Sequence, residues 1–277
     1  MTDCAYTTHS RWTRGATEVC PAAPRALSDR RRAGRAGGRA GRPPPPYRTA
    51  APRGHLARGH PLWLLSVGRG RRHVLVVAGP HANEPAGAAT VLLLAERALA
   101  DPRLTEGADT TWNLLLCLDP DGLRHNEGWL TGPYTLDRYF RGFFRPGFLE
   151  QPEWLPDGAD GAVLPETRAL LAVQDELRPF LQCSLHGVDV GGGFVELTRD
   201  LPGLARSVER TSAHLGVPRE LGAYDALHWP VLGPAVYRIP PPRRGDRVEA
   251  ITEAAVGSTW YHPHRHGTVT AVVEAPM

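Results

Sequence analysis

Residues 73–100 read HVLVVAGPHANEPAGAATVLLLAERALA. Val74–Ala78 are apolar without interruption up to Gly79, the pattern of a strand buried on both faces. Pro85 follows where a first helical turn tolerates it, since an N–H at that position has no intrahelical partner to lose. The Ala- and Leu-rich stretch after it is a strong helix former. The join between strand and helix carries His81 and Glu84. Ligands of open α/β sheets bind beyond the carboxyl ends of the strands, so both residues stand where chemistry is done. An imidazole and a carboxylate three positions apart on a turn can both reach one metal ion. The plainer reading of Glu84 alone is an acid that complements a helix N-terminus.

Working outward, PLWLLSV (61–67), NLLLCL (113–118), FLQCSLH (180–186), GFVELT (193–198) and TVTAVVEA (268–275) read as further strands. DPDG (119–122) reads as a turn, and 165–177 and 201–216 as helices, the second closed by Gly216. Strands alternating with helices predict an α/β fold, a three-layer α/β/α domain around a central mixed, mostly parallel sheet. His186 ends one strand and Glu274 another. An acid ending an apolar strand is costly unless it is paired or working. HPHRH (262–266) puts three histidines on one face if extended, and a solvated loop is a simpler reading of it than a second metal site.

The 277 residues are 42% apolar, enough to bury a core. No apolar run approaches the length of a membrane span, and the first thirty residues lack a signal-type stretch, so a cytoplasmic location with no membrane partner is expected. The net charge of +3 is split, with +9 on residues 1–60 and −6 on the rest. The basic character therefore belongs to RRRAGRAGGRAGRPPPP (30–46) and its neighbours. Residues 1–60 read as a disordered tail, and a nucleic-acid arm is disfavoured because no aromatic residues are interleaved for base stacking. Four cysteines without a CxxC pair argue against a cysteine-rich zinc site, and Cys117 and Cys183 read as buried thiols.

PHANEP (80–85), DPDG, RHNEG (124–128), LDRYF (136–140), SLHG (184–187) and VVEAP (272–276) occur in this order. The series resembles the zinc metallocarboxypeptidases of the carboxypeptidase A/B type, including bacterial relatives that trim cell-wall peptides. The resemblance covers about 61–277, read as a catalytic domain short of the family's usual extent at both ends. It implies one zinc ion per chain on His81, Glu84 and His186, and Glu274 as the general base. It further implies Arg124 at the developing oxyanion and Arg138 on the substrate's terminal carboxylate, with Asn126 and Asp137 in the same substrate-binding segment. A peptide or small amide is the implied substrate, and the oligomeric state stays open.

Two positions depart from the family pattern. Asp119 replaces an Asn in the DPDG turn, and Asp137 stands where the family has Asn beside the clamping arginine. A carboxylate there would repel a substrate carboxylate or neutralise Arg138. Tyr224, Tyr237 and Tyr261 are all candidates for the family's substrate-capping tyrosine. An N-acyl amino acid deacylase resembling the aspartoacylase and succinylglutamate desuccinylase branch, and a non-catalytic binding protein on a decayed scaffold, are the alternatives.

Overall fold

The side chains of β3 (Arg72–Ala78) alternate between two faces, and a helix covers each face. Val74, Val76 and Ala78 pack with Val91, Ala95 and Ala98 of α1 (Pro85–Ala100). Leu75 and Val77 pack on the other side with Ala169, Leu170 and Val173 of α4 (Pro165–Leu177). A strand buried on both faces is why this run is apolar without alternation. Each fully buried Val or Leu contributes roughly 1.5–3 kcal/mol of transfer free energy, so this seam dominates the core. These contacts build the expected three layers.

The computed structural model describes residues 48–55, 61–155, 163–240 and 257–276. The other strands are β1 (Arg48–His55), β2 (Pro61–Val67), β4 (Thr110–Leu115), β5 (Leu181–Gly187), β6 (Phe194–Leu197), β7 (Val231–Gly233), β8 (Val236–Arg238) and β9 (Val269–Ala275). They form one mixed sheet in the order β1-β2-β4-β3-β5-β9-β6-β8-β7. The centre, β4-β3-β5-β9, is parallel, while β2 on one side and β6 on the other join it antiparallel. Parallel register sets His186 on β5 directly beside Glu274 on β9. The remaining helices are α2 (Pro120–Leu130), α3 (Leu136–Gly142) and α5 (Leu204–Leu215).

Three expectations need correction. Residues 48–55, assigned by composition to the disordered tail, form β1 and pair antiparallel with β2. The remainder of 1–60 lies outside the described residues. DPDG is a helix start rather than a free turn: the Asp119 carboxylate accepts from Gly122 N at 2.7 Å, and Pro120 occupies the first helical position. HPHRH, read as a solvated loop, is a short 3₁₀ helix. Its His262 and His266 each place Nε2 3.1 Å from Asp175 Oδ1 on α4, and Arg265 also bonds to that oxygen. Neither Cys117 nor Cys183 takes part in a disulfide, and no described helix is long and apolar enough to cross a membrane.

Asp175 ties the 3₁₀ helix that leads into β9 to α4. Partial burial alone would raise its pKa, but hydrogen bonds from Arg265, His266 and His262 bring it down to about 2. A carboxyl held below its unfolded value stabilises the fold above about pH 4, and the contribution fades as pH falls toward about 2. Asp175→Asn should lower the urea midpoint at about pH 6, and the gap between the two proteins should close between about pH 4 and 2. A gap that persists undiminished at the acid end would show that this carboxylate does not hold the segment.

Candidate metal centre

Gly79 ends β3 with φ +59°, a left-handed conformation that glycine adopts without steric cost, and the chain turns there toward α1. The turn closes with a hydrogen bond from Glu84 N to the His81 carbonyl at 3.2 Å. Gly87, in the first turn of α1, lies so close to β5 that an added Cβ would meet the Leu185 carbonyl oxygen at 2.9 Å. That close approach brings the His81–Glu84 turn up to the end of β5, where His186 stands. Glu84 is fixed to β5 directly, its Oε2 accepting from Gly187 N at 3.0 Å.

Three ligand-type side chains converge there. His81 Nδ1 is 2.8 Å from Glu84 Oε1, His186 Nδ1 is 3.3 Å from His81 Nδ1, and His186 Nδ1 is 3.5 Å from Glu84 Oε2. Tetrahedral zinc with bonds of about 2.0–2.2 Å sets its ligand atoms about 3.3–3.5 Å apart, a spacing the two contacts of His186 Nδ1 match, while His81 and Glu84 stand at the shorter distance of a hydrogen bond. Glu274 Oε1 lies 3.8 Å from His186 Nδ1. On the opposite side of both rings is Glu153, which the sequence reading missed. His81, Glu153 and His186 offer donor atoms within 4.8 Å of one another and could also hold a metal ion.

Burial acts strongly on these groups. It would raise the pKa of Glu84, but the charges and hydrogen bonds of His81 and His186 override it and hold the carboxyl well below the usual range. Glu153 behaves alike: burial opposes ionisation, yet His186, His81 and the Trp260 indole bring it down to about 2. Burial would lower the pKa of His186, and the charges of Glu153 and Glu274 reverse that and raise it well above the ordinary histidine value. Glu274 is pushed up to about 7 by burial and by Glu84, Glu153 and Asp225, against the pull of His186. Glu196 is raised well above the usual range by burial and by Glu274. Glu84 and Glu153, held ionised on either side of the two imidazoles, favour a cation at the site, because a buried carboxylate is costly unless it is paired or bound to a metal.

The structure therefore brings His81, Glu84, His186 and Glu274 together, and it treats the other predicted site residues differently. Asn126 is fully buried, with every hydrogen-bonding position taken. Its Nδ2 donates to the Gly122 and Phe144 carbonyls at 3.2 and 2.8 Å, and its Oδ1 accepts from Phe144 N and Trp129 Nε1 at 2.9 and 2.8 Å. The expected substrate contact is thus corrected to a structural clamp. Arg138 donates to the carbonyls of Gly132 and Gly128 at the end of α2. Asp137 pairs with Arg141 Nε at 2.7 Å and not with Arg138, which removes the feared neutralisation. Arg124 is exposed on α2 and makes no hydrogen bond or ion pair among the described residues.

The arginine at the centre is Arg145, one residue beyond the backbone that Asn126 clamps. Its Nη2 is 2.7 Å from His81 Nδ1, and its Nη1 is 3.5 Å from Glu84 and 3.7 Å from Asp189. No motif marked it, because RGFFRPGF (141–148) has no spacing that separates a site arginine from a surface one. Of the three tyrosines, Tyr237 and Tyr261 have hydroxyls bonded to main-chain groups, while Tyr224 is exposed beside Asp225. A cavity of about 890 Å³ opens beside Glu84, walled mainly by Trp129, Tyr139 and Phe140, with Arg138 and Asp189 among its polar groups.

Residues 51–139 match the family described as zinc carboxypeptidase. The match contains His81 and Glu84 and stops short of Glu153, His186 and Glu274. The resemblance read from the motifs to the zinc carboxypeptidases thus holds. Two solved structures are similar in fold. One is a candidate metallopeptidase from Shewanella amazonensis, 18% identical, TM-score 0.51, covering 83% of this chain and 78% of that one. The other is a candidate metallopeptidase from Shewanella denitrificans, 17% identical, TM-score 0.51, covering 83% and 75%. No curated protein is significantly similar in sequence.

The Asn126 clamp gives a direct test of how Arg145 is placed. Asn126→Ala leaves Phe144 N–H, its carbonyl and the Trp129 indole without their partner, at about 1–3 kcal/mol for each group left unsatisfied. Denaturant unfolding should show a loss of at least about 2 kcal/mol, with metal content unchanged. Wild-type stability would show that the clamp carries no weight.

Proposed function

We propose that this zinc carboxypeptidase-like chain is a zinc-dependent hydrolase of peptide or amide bonds. The observation that carries the reading is the convergence of His81 Nδ1, His186 Nδ1 and the Glu84 carboxylate at the exits of β3 and β5, with Glu274 on the next strand. His81, Glu84 and His186 would hold one zinc ion, which polarises a carbonyl and makes water more acidic when bound. The Nδ1 side suits catalysis because Glu84, which stands there, lines the cavity, whereas the Nε2 side ends on buried Glu153.

Glu274 takes the proton of the attacking water at its carboxylate and returns it to the leaving nitrogen. Arg145 is the guanidinium positioned to meet negative charge developing on the carbonyl oxygen. With His81 Nδ1 committed to a metal, Arg145 keeps Glu84 and Asp189 as partners. The aromatic walls of the adjoining cavity favour an apolar group on the substrate. Because Arg138 is engaged with two main-chain carbonyls, a strict demand for a free terminal carboxylate is not supported, and deacylation of N-acyl amino acids stays within reach of the site.

The test is hydrolysis of peptides, D-amino acid peptides and N-acyl amino acids with and without chelator, alongside elemental analysis. One zinc per chain is expected, lost in His81→Ala and in His186→Ala, and stoichiometric zinc in the double variant would sink the ligand assignment. Glu274→Gln keeps the shape of the side chain but cannot take up a proton. It should retain zinc and lose about 10²–10⁴-fold in kcat with little change in KM. Loss of zinc would make Glu274 a ligand, and full activity would place the base elsewhere.

A further inference from the structure

The cavity of about 890 Å³ beside Glu84 is framed by the two chain segments that carry the metal-ligand residues, Asn83 and Glu84 from one and Gly187 from the other. From α1 it receives only the small side chains of Ala86 and Ala89, which leave it room. Leu136, Phe140 and Val190 line it and are still largely exposed, so an apolar surface runs from the cavity out to solvent. Such surfaces mark binding sites. Several polar side chains around it already have partners inside the protein. The Tyr134 hydroxyl donates to the Leu130 carbonyl at 2.8 Å, Arg138 donates to the carbonyls of Gly128 and Gly132, and Glu84 accepts from Gly187 N at 3.0 Å. Asn83 differs. It is 6% exposed, its side chain makes no hydrogen bond among the described residues, and its Oδ1 is buried without a partner. An enclosed amide with nothing to bond to is costly, and a ligand amide placed beside it would relieve that cost.

We propose that the substrate is an N-acyl amide with a medium or long acyl chain, the chain lying in this cavity and the amide that joins it bonding to Asn83. The volume is near the upper end of the roughly 300–1,000 Å³ that drug-sized ligands occupy, more than one amino acid side chain fills. The shortage of free polar groups decides between an acyl chain and a peptide strand. A peptide brings an N–H and a carbonyl at every residue, and each one left unpaired among these walls weakens binding. An acyl chain brings one amide, which Asn83 can meet, and beyond it only methylenes. A free carboxylate is not demanded, since the guanidinium of Arg138 is already engaged. The inference rests on the hydrolase reading proposed above and names its substrate class.

The experiment uses the full chain, with chelator present for calorimetric binding so that no ligand is consumed, and with zinc for hydrolysis. The probes are N-octanoylalaninamide, N-acetylalaninamide and 2-octyloxypropanamide, the last keeping the chain without the joining amide. Each buried methylene is worth about fourfold in affinity, so the octanoyl compound should bind at least about 100-fold more tightly than the acetyl one. It should also bind about tenfold more tightly than the ether, and Asn83→Ala should erase that difference. Ala89→Phe, which puts a ring into the cavity, should bring the octanoyl and acetyl compounds close together in affinity. Equal binding of these two by the wild type overturns the inference, and that measurement needs no variant to fold. An amide preference that survives in Asn83→Ala, or octanoyl binding undiminished in folded Ala89→Phe, overturns it as well. Binding as expected with no cleavage by the zinc-loaded chain sinks the hydrolase reading and sustains the cavity assignment. Cleavage of both acyl compounds with equal kcat/KM does the reverse.

Discussion

Everything at the centre depends on keeping two carboxylates ionised inside the protein. Glu84 and Glu153 are almost wholly enclosed, and Glu274 and Glu196 lie close by. Taken from water singly, each would neutralise itself. Two of them stay charged because the imidazoles lie between them, each ring presenting one nitrogen to Glu84 and the other to Glu153. The other two, farther from the rings, are driven toward their protonated forms. A single gradient of charge therefore runs across the site, from firmly ionised acids at the rings to a proton-accepting one at the edge.

The backbone supplies this arrangement through close approach rather than through long loops. Gly87 lets α1 lie against β5, Gly79 turns the chain off β3, and register alone puts His186 beside Glu274. Asn126 does similar work at one remove. By taking both main-chain groups of Phe144 it fixes the path of the next residue, and Arg145 reaches His81 and Glu84 from there. A residue expected to touch substrate turns out to place the one that faces it.

Much of this was legible in the residues. The unbroken apolar run before His81 signalled a strand covered on both faces, and α1 and α4 cover it. His81, Glu84, His186 and Glu274 were readable because each sits at a strand exit, where chain order carries spatial meaning. Glu153 and Arg145 were not. A carboxylate can arrive from any loop that packs nearby, and an arginine in RGFFRPGF looks like any other. Arg138 and Asn126 went the other way: the motif marked their positions, but side-chain hydrogen bonding decided their roles, and a linear pattern does not record it. β1 was hidden by composition, since pairing between backbones needs no apolar residue to announce it.

The place of β9 in the sheet bears on how the molecule is assembled. β5 and β6 are close in sequence, yet they are not neighbours in space, because β9 lies between them and begins only at Val269. Closing that gap is a contact of high sequence separation, the kind whose loop-closure entropy must be paid before the contact returns anything. Until it forms, His186 has no neighbouring strand on that side, and the carboxylate beside it has not arrived. A partly folded chain could thus gather His81 and Glu84 and still lack the proton-handling half of its centre. The topology withholds reactivity from unfinished molecules.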